Sequence, residues 1–93
     1  MIVSFADRDT EILWETGKSR RIPASIRDVA NKKLAILDAV VELSELLVPP
    51  GNRLEKLKGD REGQFSIRIN NQYRVCFVWK DNNAHQVEIV DYH

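Results

Sequence analysis

Hydrophobic positions along this chain first recur with a helical period and then switch to strict alternation. The switch falls at Pro49-Pro50-Gly51. Before it, Ile2-Val3-Ser4-Phe5 is a β-branched and aromatic run that predicts a short strand. Asp7 or Asp9 can cap a following helix that uses Ile12, Leu13 and Trp14 for apolar contact and stops at Gly17. Lys18-Ser19-Arg20-Arg21 is a polar connector, and Pro23 suits the first turn of a second helix. Ile26, Val29, Ala30, Leu34, Leu37 and Val41 then trace one helical face. This helix, or a broken continuation of it, should end before Pro49-Pro50-Gly51, a strong breaker. The two helices are expected to form a hairpin over one side of a sheet.

After the breaker the pattern is strand-like. Arg53 to Leu57 predicts a short strand, Lys58 to Gly63 a glycine-bounded loop, and Phe65 to Ile69 and Tyr73 to Trp79 two alternating strands. Lys80-Asp81-Asn82-Asn83 is turn-rich, and Val87 to Tyr92 predicts the last strand. The register of the central hairpin follows from its faces. A two-residue turn at Asn70-Asn71 would mix polar and apolar groups on both sides. A three-residue loop Asn70-Asn71-Gln72 pairs Ile69 with Tyr73, Ile67 with Val75 and Phe65 with Phe77, making one face wholly apolar. Asparagine tolerates the left-handed backbone such loops need. The second register is adopted, and it sets Ser66, Arg68, Arg74 and Cys76 on the other face, with Arg68 opposite Arg74. The predicted class is α+β in one domain, residues 1–93. It has an N-terminal strand and a two-helix hairpin packed on one face of a mainly antiparallel sheet of about four to five strands.

Charge changes this picture. Net charge is zero, which taken alone argues against a polyanionic partner. Yet residues 51–80 carry Arg53, Lys56, Lys58, Arg61, Arg68, Arg74 and Lys80 against Glu55, Asp60 and Glu62. Positive charge therefore gathers where the strands are. Two arginines opposed across strands are destabilising unless a counter-charge is near. A phosphate would satisfy both bidentately; the alternative is that they reach solvent or pair with Glu88 or Asp91.

Composition narrows the chemistry. A single cysteine, Cys76, cannot form an internal disulfide, so nothing points to an oxidising compartment. No apolar run approaches the roughly 20 residues of a membrane span, and the N-terminus lacks a basic region followed by an apolar stretch. A cytoplasmic protein with no membrane partner is expected. One cysteine and two separated histidines give no basis for a metal site, and the scattered glycines form no phosphate loop, so no cofactor is expected. His85 falls in a predicted turn and reads as plain surface. Tyr92 and His93 end the chain, where a frayed tail is the plain reading. Val87-Glu88-Ile89-Val90 nevertheless looks like a paired strand, and if it adjoins the hairpin His93 can reach the arginine face. Histidine exchanges protons near neutral pH. Opposed arginines, neighbouring lysines and a Tyr-His pair suit metal-free RNA cleavage, which needs a base for the 2′-OH, cations for the phosphate and an acid for the leaving oxygen.

The block Leu57-Lys58-Gly59-Asp60-Arg61-Glu62-Gly63-Gln64-Phe65-Ser66-Ile67-Arg68-Ile69-Asn70, with Tyr73-Arg74-Val75-Cys76-Phe77 and Val90-Asp91-Tyr92-His93, closely resembles the HigB (host inhibition of growth, plasmid-killer) toxins of the RelE superfamily. The likeness covers nearly the whole chain, including Met1-Ile2-Val3-Ser4-Phe5 and Lys33-Leu34-Ala35-Ile36-Leu37-Asp38-Ala39. The resemblance implies a RelE-like fold and a ribosome-dependent mRNA endonuclease that works in the ribosomal A site, on the small subunit. It also implies a HigA-type helix-turn-helix antitoxin, through which alone operator DNA is contacted. It assigns Asp91, Tyr92, His93 and Arg74 to catalysis and Lys58, Arg61 and Arg68 to RNA. Within it His93 is acid or base, Tyr92 stacks or shares in proton transfer, Arg74 stabilises the phosphate and Asp91 orients its neighbours. Some relatives carry a catalytic histidine where this chain has Glu55, which makes Glu55 a candidate base. Two other classes fit the fold: a ParE-like gyrase inhibitor, against which the Tyr-His pair speaks, and an antitoxin-bound co-repressor of feeble catalysis.

Overall fold

The computed structural model describes residues 1–92. Asp7 sets the first helix. Its backbone is extended and its carboxylate accepts the Thr10 N–H at 3.2 Å, so α1 runs Arg8–Thr16. Gly17 ends it with φ 79, a left-handed turn in which its N–H donates to the Leu13 carbonyl at 2.8 Å. After Pro23 a 3-10 turn, Ala24–Ile26, leads into α2, Arg27–Ala39. Ile26, Ala30, Leu34 and Leu37 are buried as the periodicity requires. Val29 and Val41 are not, at 40% and 63% exposure. Val29 lies about 100° around the helix from Ala30, off a narrower stripe than predicted. Val41 comes after the helix, because Val40 is already extended. The broken continuation is real: Leu43–Leu47 forms a further 3-10 turn that buries Leu46.

Four strands follow, β1 (Glu55–Lys56), β2 (Phe65–Arg68), β3 (Tyr73–Lys80) and β4 (Asn83–Asp91), paired antiparallel in chain order. The β2–β3 register is the one that the apolar face demanded: Phe65 with Phe77, Ile67 with Val75, Arg68 with Arg74. Asn70 closes the loop, its Oδ1 accepting the N–H groups of Gln72 and Tyr73 at 2.8 and 2.7 Å. The β3–β4 turn is tighter than predicted. Asp81 and Asn82 take φ 53 and 62, and a two-residue turn of this hand lets Lys80 pair with Asn83. His85 therefore lies in β4 opposite Val78, not in a turn.

The N-terminal run lies along the open edge of β4 as an interrupted fifth strand. Ile2 bridges Ala84 and Phe5 bridges Val87, both in parallel. The ladder breaks at Gln86, whose φ is 51 and whose N–H donates to the Ser4 hydroxyl at 2.8 Å. The same residue produces the register shift between Cys76 and Val78 in the β3–β4 pairing. The two helices cover one face of the sheet, where Leu13, Ala30, Leu34 and Leu37 pack with Ile67, Val75, Phe77 and Val87. Thr10 joins the layers, its hydroxyl accepting the Ile89 N–H at 3.0 Å.

Candidate active site

Alternation decides what the other face carries. With Ile67, Val75 and Phe77 turned to the helices, Ser66, Arg68, Arg74 and Cys76 turn away. Pairing aligns Glu55, Ser66, Cys76 and Glu88 in one row across all four strands, and Arg68, Arg74 and Val90 in the next. Tyr92 is two residues past Val90 and returns to the same face. Its N–H donates to the Gln72 carbonyl at 2.6 Å, which ties the end of β4 to the hairpin loop.

Arg74 is the centre of this face and is 8% exposed. Its Nε donates to the Ser66 hydroxyl at 2.7 Å and its Nη2 to the Arg53 carbonyl at 2.5 Å. Its Nη1 lies 3.7 Å from the Glu55 carboxylate, and the guanidinium stands 5.6 Å from the centre of the Tyr92 ring. The repulsion between Arg68 and Arg74 is thus relieved by Glu55 and neutral acceptors. Glu88 and Asp91, the partners that sequence offered, are engaged elsewhere. Glu88 holds Arg61 at 2.7 Å, and Asp91 accepts from the Gln72 side chain at 3.0 Å. Arg68 bonds the side chain of Asn71 in the loop.

These groups enclose a cleft of about 220 Å³ lined by Arg53, Glu55, Arg68, Asn70, Asn71, Arg74 and Tyr92. Of the residues predicted for the site, the structure brings Glu55, Arg68, Arg74 and Tyr92 together. Lys58, Arg61 and Asp91 do not line the cleft. Arg61 is a strut: its hydrogen bond to Glu88 raises its pKa above the ordinary arginine value, and a second bond reaches Gln64 at 3.1 Å. Together they fasten the 58–63 loop to β4. Asp91 pairs with Tyr73, so its side chain leaves the sheet on the side opposite Tyr92. His93 lies outside the described residues. Cys76, third in the row, is fully buried. Desolvation, helped by Glu88, pushes its thiol pKa up against the opposing pull of Arg61 and Arg74, and its full burial makes it a packing residue.

Sequence reading missed Arg53. It sits in the left-handed region at φ 45 and ψ 55, directly after the Pro50–Asn52 turn. Its carbonyl holds Arg74, and the residue lines the cleft. The signal that could have found it is its spacing of two from Glu55. Among the described residues, three arginines and one glutamate therefore line one small cleft. Among the described residues no three His, Cys, Asp or Glu side chains are grouped to hold a metal ion.

Known proteins share this sequence pattern and this fold. Residues 3–93 match the family model of the RelE-like toxin of type II toxin-antitoxin system HigB. Toxin HigB-1 of Vibrio cholerae is 46% identical over 85 residues, covering 90% of each chain. Endoribonuclease HigB of Proteus vulgaris is 35% identical, covering 100% of both. The fold is shared with the YoeB–YefM complex from Staphylococcus aureus, with a TM-score of 0.60 at 21% identity over 100% of this chain and 98% of that one. Helix hairpin, antiparallel sheet and chain-long sequence similarity agree, and the chain belongs to the HigB-like toxins, RelE-like members of type II toxin–antitoxin systems.

Proposed function

We propose that this chain is a metal-independent endoribonuclease that cuts messenger RNA during translation, in the A site on the small subunit of the ribosome. In the cytoplasm it is neutralised by a HigA-type helix-turn-helix antitoxin, its only route to operator DNA. The observation that carries the reading is the cleft in which Arg53, Arg68 and Arg74 surround room for one phosphodiester beside Tyr92 and Glu55. The endoribonuclease name of the Proteus vulgaris relative agrees with it.

Cleavage would run as an in-line displacement. The Glu55 carboxylate accepts the 2′-OH proton, the 2′ oxygen attacks the adjacent phosphorus, and the bond to the 5′ oxygen breaks. That oxygen leaves with a proton from His93, the residue after Tyr92 and the acid in this assignment. Charge growing on the phosphoryl oxygens is balanced by the arginines, whose positions are fixed before substrate arrives. Tyr92 is exposed at the rim and offers a face for base stacking. Asp91 orients the strand end through Gln72, and Lys58 and Arg61 belong to the wider RNA-facing surface.

Mapping new 5′ ends on a reporter message, on and off ribosomes, tests this reading. Wild type should cut the ribosome-bound message, while Arg68→Gln and His93→Ala should not. Uncut message together with a fall in gyrase supercoiling would replace the nuclease with a gyrase inhibitor.

A further inference from the structure

A second cationic cleft lies by the α1–α2 connector, and none of its lining residues lines the first. It encloses about 600 Å³ between Lys18, Arg20, Arg21 and Arg27, with Asp9 and Ile12 on its α1 wall. From Gly17 to Arg27 the chain carries those four basic residues and no acidic one. The connector is built, not frayed. Gly17 turns it, the Thr16 hydroxyl accepts the Lys18 N–H at 3.2 Å, and Ser19 and Ile22 are buried. Arg27 is aligned by its Nε donating to the Ile22 carbonyl at 2.9 Å. The charge is poorly compensated. Arg21 reaches Asp9 only at 4.0 Å with its side chain 84% exposed, and such a pair is worth little. Among the described residues Lys18 and Arg20 have no carboxylate partner.

We infer that this cleft is a second RNA site, one that grips the phosphate backbone of a longer or folded RNA while the first cleft holds the scissile phosphate. The inference rests on the endoribonuclease reading above. The first cleft is too small to hold RNA firmly: at about 220 Å³ it has room for only a short stretch of backbone. Affinity for nucleic acid grows with the number of phosphates neutralised, and a chain of zero net charge has no general field to supply the rest. The second cleft's lining has no aromatic residue, so it stacks no base and reads no sequence. Its exposed lining is largely apolar although Ile12 is the one apolar residue in it, so an anionic backbone would be met by the cationic heads and not by the cleft floor. Phosphate backbone is the occupant that this chemistry fits.

Distance supplies the test. The first cleft opens on the face away from the helices, and the molecule is 26 Å across in its shorter dimensions. A strand rising about 3.4 Å per nucleotide needs about eight nucleotides to cover that. Two fully 2′-O-methylated RNAs, a trinucleotide and a 24-mer, cannot be cut and differ only in reach. Their dissociation constants are compared for the whole chain and a Lys18→Gln/Arg20→Gln/Arg21→Gln variant between 50 and 200 mM salt, with the trinucleotide followed by amide shifts around Tyr92. The variant should lose about tenfold in 24-mer affinity and flatten its log–log salt slope by about 2, from three phosphates at about 0.7 each. Trinucleotide binding should stay unchanged. A 24-mer bound with wild-type affinity and slope would falsify the site. So would unchanged RNA binding with lost antitoxin binding, which assigns the cleft to an acidic protein segment. Because the three side chains project from the surface, an unchanged melting temperature is expected; Arg20→Glu alone serves as the second variant. Failure of the nuclease reading is separate, since it would appear as wild-type RNA binding without cleavage on ribosomes.

Discussion

Arg74 and Arg53 act as a pair although they differ in kind. Arg74 is committed to protein acceptors and Arg53 holds it with a carbonyl that only a left-handed backbone presents. Lysine at position 74 keeps the charge but loses the planar fork. Arg74→Lys should therefore leave one acceptor unsatisfied, at a cost of about 1–3 kcal/mol, and lower the cleavage rate on ribosomes about 100-fold or more. Thermal melting and end mapping on one sample check both. Arg53→Gly should separate stability from function. Glycine takes φ 45 without the strain of about 1 kcal/mol that arginine carries there, so the variant should melt higher and bind the trinucleotide about tenfold more weakly. A variant that melts higher and binds equally well would remove Arg53 from the site. The opposition of Arg68 and Arg74 was legible in the sequence because alternation and register are local. The fates of Arg53 and Arg61 were not: one depends on a rare backbone conformation, the other on an ion pair 27 residues away.

At the scale of elements, one hairpin serves two layers. Phe65 and Phe77 stack at 6.2 Å on the core side, while Ser66 and Arg68 lie on the other. The faces should be separable. Ile67 is fully buried between Ser66 and Arg68, which face the other way. Ile67→Val should cost about 1 kcal/mol, lowering the melting temperature by about 4–8 °C while leaving the cleavage rate at 20 °C within twofold. The Leu43–Leu47 turn gives a pH-dependent test. Glu45 accepts the N–H groups of Glu42 and Val41, each at 2.7 Å, and these bonds hold its carboxyl pKa below the ordinary 4.5. A depressed carboxyl stabilises the folded state above the ordinary pKa, and that contribution disappears as pH falls through the lowered value. Exchange of the Val41 and Glu42 amides should accelerate relative to their neighbours as pH falls below the ordinary carboxyl range, and Glu45→Ala should abolish the difference. Strand and helix boundaries were readable to within a few residues. The bulge at Gln86 was not, because no residue in it favours a positive φ strongly enough to announce the turn.

The whole molecule hides its net neutrality by sorting charge. Cations collect in two clefts, and most of the carboxylates that balance them lie outside both. The sequence made the strand-side concentration visible by simple counting. The connector side was harder to see, because Asp7, Asp9, Glu11 and Glu15 nearby in the chain cancel it on paper, and only the fold turns the four cations into one cleft. Cys76 offers a test of how cooperatively these surfaces stand or fall. It lies on the central strand, fully buried, beneath the Arg61–Glu88 and Arg74–Glu55 pairs that cap the outer face. Its thiol pKa is raised by that burial, so both access and thiolate fraction are low in the folded chain. A thiol reagent at pH 7.5 should label it at a rate that tracks global unfolding in urea as long as those pairs and the 58–63 loop keep the sulfur covered. Arg61→Ala releases the loop 58–63; it also removes a cation that lowers the thiol pKa, which by itself would slow labelling, so any acceleration reports access. Labelling should then accelerate without a matching loss of overall stability, as a local opening of the outer face would require. Labelling that stays tied to global stability in Arg61→Ala would mean that the loop adds no separate cover, and that the sheet alone guards the site.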